Sequence, residues 1–238
     1  MNLSAQQDQS YHSFADDRTW LGVANAFNTL SNLPLLLVGI LGLIFLWRDR
    51  ASARLIRFEM PGERFAYWGL FAAVTLTGIG SMYYHLAPDD ARLVWDRLPI
   101  SLAFTALLAA MISERLSAQW GIRLLVPLML YGAGSVVYWR WSALQGAENL
   151  IPYGIAQYGS IAAIFALAVT RRSRYTRSGV IFAVLLMYAL AKVAEIFDTK
   201  ISDWGHAISG HSIKHLLAGV AVLLLLRMIQ LRVPFRGA

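Results

Sequence analysis

Two short stretches of the chain hold residues whose types and spacing could support hydrolytic chemistry. In the first, Ser81 and His85 stand four residues apart, so on a helix they share one face, about one turn from each other. A polar break over residues 87–90 follows, and Asp96 lies a few residues into the next apolar run. A turn at this break would bring Asp96 back to the depth of Ser81 and His85.

The second stretch contains His211 and His215, whose spacing also puts two imidazoles on one helix face, where they can share a metal. His85 as a third ligand would leave an open position for water, as catalytic zinc sites do. Zinc lowers the pKa of bound water to about 7 and polarises a carbonyl. Asp96 could then act as general base, and Ser81 could hydrogen-bond the developing oxyanion.

Each of these residues also has a simpler explanation. A serine in a membrane helix usually packs or hydrogen-bonds between helices, and an aspartate near a helix start usually caps it. Two histidines can equally bond neighbouring helices or face lipid headgroups. Haem ligation is a rival use, although a two-haem cytochrome needs histidine pairs on two helices and the segment around Ser81 offers only His85.

A proton relay is another alternative, because Lys192, Glu195 and Asp198 add ionisable groups near the end of an apolar run. We interpret these three as capping a helix end and hydrogen-bonding groups around the site. His206 is either a supporting residue or unrelated to the site. His12, in the polar N-terminal segment, is expected to be solvated.

Composition places the chain in a membrane. Apolar residues make up 57% of it and charged residues only 15%, and the apolar residues cluster into runs near the roughly 20 residues that cross a bilayer. The prediction is an all-α, polytopic bundle of seven transmembrane helices in a single domain, 1–238, with a polar N-terminal segment, 1–24. The predicted spans are Asn25–Trp47, Phe65–Leu86, Leu93–Glu114, Trp120–Tyr138, Leu150–Thr170, Gly179–Asp198 and Ser209–Gln230.

The basic residues predict orientation rather than nucleic-acid binding. The net charge is +7, but the arginines sit at the ends of apolar runs, with fourteen Lys/Arg on one side and five on the other. This bias predicts an outward N-terminus and a cytoplasmic C-terminus. The two histidine-bearing stretches and Asp96 then all lie near the outer face. The chain has no cysteine, so a metal would have to bind His, Asp or Glu.

Three blocks give the chain a resemblance to a known family. The first is F-N-T-L-S-N-L over residues 27–33, and the second runs from Gly80 through His85 to Asp96, which Leu98-Pro99 follows. The third is the H-x-x-x-H pair of the last span. The combination resembles the alkaline ceramidases and their bacterial relatives, within the seven-helix hydrolases that include the adiponectin and progestin receptors. These blocks run from the first to the last predicted span.

The resemblance implies an enzyme that hydrolyses the amide bond of a ceramide-like or other N-acyl lipid. It implies zinc held by His85, His211 and His215, with Ser81 and Asp96 as catalytic residues. It also places the protein in the lipid bilayer, in a bacterial inner membrane, and the arginine bias puts the site towards the outer face. The alternative is a receptor-like or transport protein with a structural zinc site, in which Asp96 would be a fourth ligand. Acyl length, headgroup and oligomeric state are not predicted.

Two further expectations come from the same comparison. Asn28, Ser31 and Asn32 match a family motif that we interpret as interhelical hydrogen bonding. The eukaryotic ceramidases carry an acidic segment before the first span, and a glutamate where this chain has Asn25, which together resemble a calcium site. Here the N-terminal segment offers only Asp8, Asp16 and Asp17, which leaves calcium use in doubt because calcium needs several oxygen ligands.

Overall fold

The computed structural model describes residues 6–49, 57–205 and 208–235, and within these ranges the fold is all-helical, as predicted. In chain order the helices are α1 (Ala26–Leu30), α2 (Leu33–Asp49), α3 (Arg64–Leu86), α4 (Asp90–Arg115), α5 (Ala118–Leu144), α6 (Ile151–Gly154), α7 (Ser160–Thr170), α8 (Val180–Ile196), α9 (Asp198–Gly205) and α10 (Gly210–Leu231). A π-helical turn, Ile155–Gly159, joins α6 to α7.

Six described helical segments are long and apolar enough to cross a membrane, with α1–α2 and α6–α7 each forming one of them. A seventh crossing requires α8 and α9 to count as one span, and this pair is bent by 77°. The protein is therefore a multi-pass membrane protein with six or seven spans. The orientation of its termini stays a prediction.

Local sequence explains where three of the long helices begin. The side chains of Asp89, Ser117 and Ser209 each accept a hydrogen bond from a backbone N–H in the first turn of α4, α5 and α10, respectively. Such side chains satisfy backbone donors that have no partner inside the helix. The Asp89 cap also makes the tight turn that folds α4 back against α3.

Helix α5 is longer than the predicted span, Trp120–Tyr138. The helix continues to Leu144, and within this extension Trp139 is fully buried and its indole N–H donates to Glu148 at 2.6 Å. A tryptophan is readily buried where its N–H has a partner. The outer face of α5 presents Val126, Leu130 and Val137, which are about 60–68% exposed and share a face suited to lipid.

The core lies between α2, α3, α4 and α10. Helix α3 packs on both α2 and α4, and α10 packs on α8 and α2. Phe71, Ala106, Met111 and Ile229 are at most 1% exposed in this core. Burial of aliphatic and aromatic side chains from four helices fixes the relative depth of α3, α4 and α10, which carry all the predicted site residues.

Two glycines allow the closest helix crossings beside the site. A Cβ at Gly80 would stand 2.0 Å from the carbonyl oxygen of Trp95, and one at Gly210 would stand 2.1 Å from that of Ala194. Only glycine fits at such distances. These contacts pack α3 against α4 beside Ser81, and α10 against α8 where the histidine pair begins.

A buried polar network links the helices at the end of the bundle opposite the predicted site residues. Glu114, at the end of α4, accepts hydrogen bonds from Tyr67 and Arg232. The Arg232 guanidinium also lies 4.2 Å from the ring centroid of Tyr175. Because both charges are buried and paired, this network fixes the segment after α10 to α3 and α4.

Candidate metal centre

Three histidine side chains meet in the interior of the bundle. His85 comes from the last turn of α3, and His211 and His215 come from the first turns of α10. Each is at most 4% exposed, and one ligand nitrogen from each ring lies within 4.8 Å of the other two. The Nε2 atoms of His85 and His211 are 3.3 Å apart. The structure thus brings together three residues that are up to 130 positions apart in the chain.

This donor set fits zinc. Imidazole nitrogens bind zinc at about 2.0–2.1 Å, and two such ligands of a tetrahedral ion lie about 3.3–3.4 Å apart, which matches the separation of the His85 and His211 Nε2 atoms. Two buried imidazole nitrogens at this distance require a shared proton or a cation between them. Among the described residues, the three histidines are the one group of three or more His, Asp or Glu side chains close enough to hold an ion.

His215 is oriented by the break between α1 and α2. Its Nδ1 lies 2.8 Å from the Ser31 hydroxyl, which itself donates to the Asn28 carbonyl at 3.1 Å. The Ser31 oxygen can therefore accept a hydrogen bond from Nδ1–H, which leaves the Nε2 lone pair for a metal. Asn32 is also within 3.1 Å of the same nitrogen. The motif expected to supply interhelical hydrogen bonds does so, and it bonds directly to a candidate ligand.

Asn28 ties the same break to the start of α10. It is fully buried, and its side-chain oxygen accepts hydrogen bonds from Ser209 and Ser212 at 3.0 and 2.8 Å. Its amide N–H donates to the carbonyl of Asp16. A single side chain therefore links the N-terminal segment, the first span and the histidine-bearing helix.

His211 is held by residues of the α8–α9 corner. Its backbone N–H donates to Asp198 at 2.7 Å. Its Nε2 lies 2.9 Å from the Lys214 ammonium, and because this nitrogen has a single lone pair, Lys214 would have to move away for a metal to bind there. Lys214 also donates to Glu195 at 3.1 Å, and Lys192 pairs with the same carboxylate. The acidic residues of span six were expected to cap a helix end and to bond groups around the site. Asp198 bonds a backbone N–H at the start of α10, and Glu195 bonds Lys214 beside His211. The contact of Lys214 with His211 was not foreseen.

Ser81 and Asp96 lie beside the histidines on facing helices. Ser81 is 2% and Asp96 7% exposed, and the Ser81 side chain lies next to the Asp96 carboxyl. Both line a cavity of about 260 Å³, as does His215. Apolar side chains also line the cavity, among them Leu35, Val74, Ala103, Phe104, Ala218 and Val222. The two predicted catalytic residues thus share a cavity with a candidate metal ligand.

The segment before α1 covers this centre. The Phe14 ring lies 4.6 Å from the ring of His85 and 4.4 Å from that of His211, measured between centroids. The backbone N–H of Ala15 donates to Asp198 at 3.0 Å. The polar segment, 1–24, is therefore packed over the histidines in its described part, and Phe14 separates two of them from the outside.

His12 is not solvated, so that prediction is wrong. Its ring lies 2.9 Å from the Tyr84 hydroxyl and 3.0 Å from the Asp90 carboxylate, and its side chain is only 13% exposed. The physical reason is the 3₁₀ turn over Gln9–His12, capped by Asp8, which folds the segment back over the α3–α4 turn. His206, the other histidine outside the cluster, lies outside the described residues.

Three of the residues compared with a calcium site, Asn25, Asp8 and Asp16, have other partners. Asn25 donates to the carbonyl of His85 at 2.8 Å, Asp8 caps the 3₁₀ turn, and Asp16 forms an ion pair with Arg18. Hydrogen bonds from the Arg18 guanidinium lower the pKa of the Asp16 carboxyl. Asn25 therefore supports the backbone of a candidate zinc ligand.

Comparison with known proteins adds one finding. A family model described as Ceramidase matches residues 20–234, which is nearly the whole chain and includes all five predicted site residues. No individually curated protein matches the chain.

Proposed function

We propose a function for this chain from one premise: it belongs to the ceramidase family. Membership makes it a membrane hydrolase of lipid amides. The proposal is that the protein is zinc-dependent and cleaves the amide bond of a ceramide-like or other N-acyl lipid. The observation that supports it is the meeting of His85, His211 and His215 beside a cavity lined by Ser81 and Asp96.

His85, His211 and His215 would hold the metal through ring nitrogens. Bound zinc supplies an activated water and polarises the amide carbonyl. Asp96 then accepts a proton from the attacking water, since it lines the same cavity as His215. Ser81 donates a hydrogen bond to the carbonyl oxygen as negative charge develops there.

The surroundings suit a lipid substrate. The cavity is lined by Ser81 and Asp96 and also by aliphatic side chains and Phe104. An acyl chain would lie against the apolar side chains and place the amide beside Ser81 and Asp96. With the topology predicted from the arginines, a lipid would enter from the outer leaflet of a bacterial inner membrane.

A receptor-like or transport protein with a structural zinc site is less well supported. Structural zinc sites are normally closed by four protein ligands. In the described part of the chain, the cluster of possible ligands contains the three histidines and does not include Asp96. Three ligands with room for water are typical of catalytic zinc.

The test is release of free fatty acid from a panel of N-acyl lipids by the purified protein in detergent, alongside its zinc content. Wild type should hold about one zinc per chain and lose activity on chelation, and added zinc should restore it. His211→Ala should lose both zinc and activity. Fatty-acid release that survives complete removal of metal would contradict the proposal, and so would full zinc occupancy in a variant without the three histidines.

A further inference from the structure

Arg97 is a buried cation beside the reaction centre with no acidic partner among the described residues. The residue is 6% exposed and lines the same cavity as Ser81 and Asp96. Its Nη2 donates to the Gln7 side chain, which is neutral, and its buried Nη1 has no hydrogen-bond partner. Burying a charged donor without a partner is costly, so this nitrogen points to a ligand.

The neighbouring aspartate does not satisfy Arg97. Asp96 and Arg97 are consecutive in α4, and consecutive helical residues do not face each other. Neither a hydrogen bond nor a close ion pair joins these two described side chains, and the Arg97 charge acts on Asp96 only through space. The unbonded Nη1 of Arg97 is therefore left for a group that enters the cavity.

Aromatic rings account for the position of Arg97 but not for its free nitrogen. The guanidinium lies 4.3 Å from the ring centroid of Trp139 and 5.1 Å from that of Tyr153. Such contacts stabilise a cation and hold it in one place. They do not replace a hydrogen-bond acceptor, because the N–H groups lie in the guanidinium plane. The rings thus preorganise Arg97 for an anion.

The remaining charges in the cavity favour an anion too. Lys192 and Lys214 both line it and share one carboxylate, Glu195. Including Asp96 and Arg97, the described lining carries three cationic side chains and two acidic ones. A bound metal would add further positive charge next to His215.

We propose that the lipid substrate carries an acid group on the amine side of its amide, a carboxylate as in an N-acyl amino acid, and that Arg97 binds this group. The inference rests on the proposed function and narrows its substrate class. Arg97 lines the same cavity as Ser81 and Asp96, so an acid group bound to Arg97 would share that cavity with the scissile amide. Hydrolysis breaks the C–N bond, the water oxygen joins the acyl carbon, and the nitrogen takes up a proton, which yields a fatty acid and an amino acid.

The test compares two substrates of one acyl length, N-hexadecanoylglycine and the neutral N-hexadecanoylethanolamine, with the matching ceramide as a third. Wild type should favour the glycine conjugate by about 10- to 100-fold in kcat/KM, the size expected of one charge-assisted hydrogen bond. The difference should appear mainly in KM, since binding of the acid group does not change during the reaction.

Variants then assign the preference to Arg97. Arg97→Gln should remove it and Arg97→Lys should retain part of it, because lysine keeps the charge but loses the planar fork. Arg92→Gln is the matched control, since Arg92 lies at the surface, bonded to the Ala87 carbonyl. It should leave the preference unchanged. The ratio of kcat/KM for the two conjugates, measured on wild type, tests the substrate class even where an Arg97 variant fails to fold.

Three results would overturn the inference. They are equal turnover of the two conjugates by wild type, a preference that survives in Arg97→Gln, and hydrolysis of the ceramide with neither conjugate cleaved. In each of these cases the lipid amidase function stands. Failure to hydrolyse any of the three lipids would instead overturn the proposed function, and the inference with it.

Discussion

Removal of the Ser31 hydroxyl should weaken zinc binding without removing a ligand. Ser31 contacts His215 Nδ1 at 2.8 Å in a buried environment, so Ser31→Ala leaves the imidazole N–H without its nearest acceptor. An unsatisfied buried donor costs about 1–3 kcal/mol, which corresponds to roughly a 5- to 150-fold loss of zinc affinity. Groups that orient zinc-bound histidines typically contribute about 10- to 100-fold. Asn32 reaches the same nitrogen through its amide nitrogen, which donates to the Asn28 carbonyl, so it does not replace the lost acceptor.

The assay is competition for zinc between the purified protein and a chromogenic chelator. Ser31→Thr keeps a hydroxyl and should bind zinc more tightly than Ser31→Ala. Ser135→Ala is the matched control, because Ser135 is equally buried but bonds only the carbonyl of Gly132 within its own helix. Unchanged zinc affinity in Ser31→Ala, or the same loss in Ser135→Ala, would refute the role given to Ser31.

Two further predictions concern the N-terminal segment and the topology. Because hydrogen bonds from Arg18 lower the pKa of Asp16 in the folded protein, Asp16 stabilises the fold fully above its unfolded pKa of about 3.9. This contribution is lost as pH falls through the lower pKa of the folded state. Between about pH 6 and about pH 3 the melting temperature should therefore fall more for wild type than for Asp16→Asn. Parallel plots of melting temperature against pH for the two proteins would contradict this. A reporter fused to the C-terminus should be active only as a cytoplasmic reporter; activity outside would place the site at the inner leaflet.

Helical periodicity accounts for what could be predicted of the site. Ser81 with His85, and His211 with His215, are pairs whose shared face depends only on a continuous helix. The turn after α3 then brings Asp96 to the same depth, where it lines the cavity with Ser81. These contacts follow from the order and length of the spans, and the structure places all five residues together.

Contacts made by irregular segments could not be predicted in the same way. Phe14 lies in a stretch with no helical or strand period, so nothing in the sequence indicates that its ring packs on His85 and His211. Ser31 bonds His215 across 184 positions, and that pairing depends on how α2 packs against α10. Lys214 follows His211 by three residues, and this spacing was a signal that the sequence did contain.

The most direct test of zinc-dependent hydrolysis at this centre is Asp96→Asn, assayed for fatty-acid release and zinc content in the same preparation. The amide is nearly the same size as the carboxyl and can still hydrogen-bond Ser81, but it cannot accept a proton as a base. We expect zinc and thermal stability to be retained while turnover falls by about 10²–10⁴, the usual loss when a general base is removed. Equal turnover by wild type and Asp96→Asn would contradict the hydrolytic mechanism. Loss of zinc in the variant would make Asp96 a fourth ligand and the site a structural one.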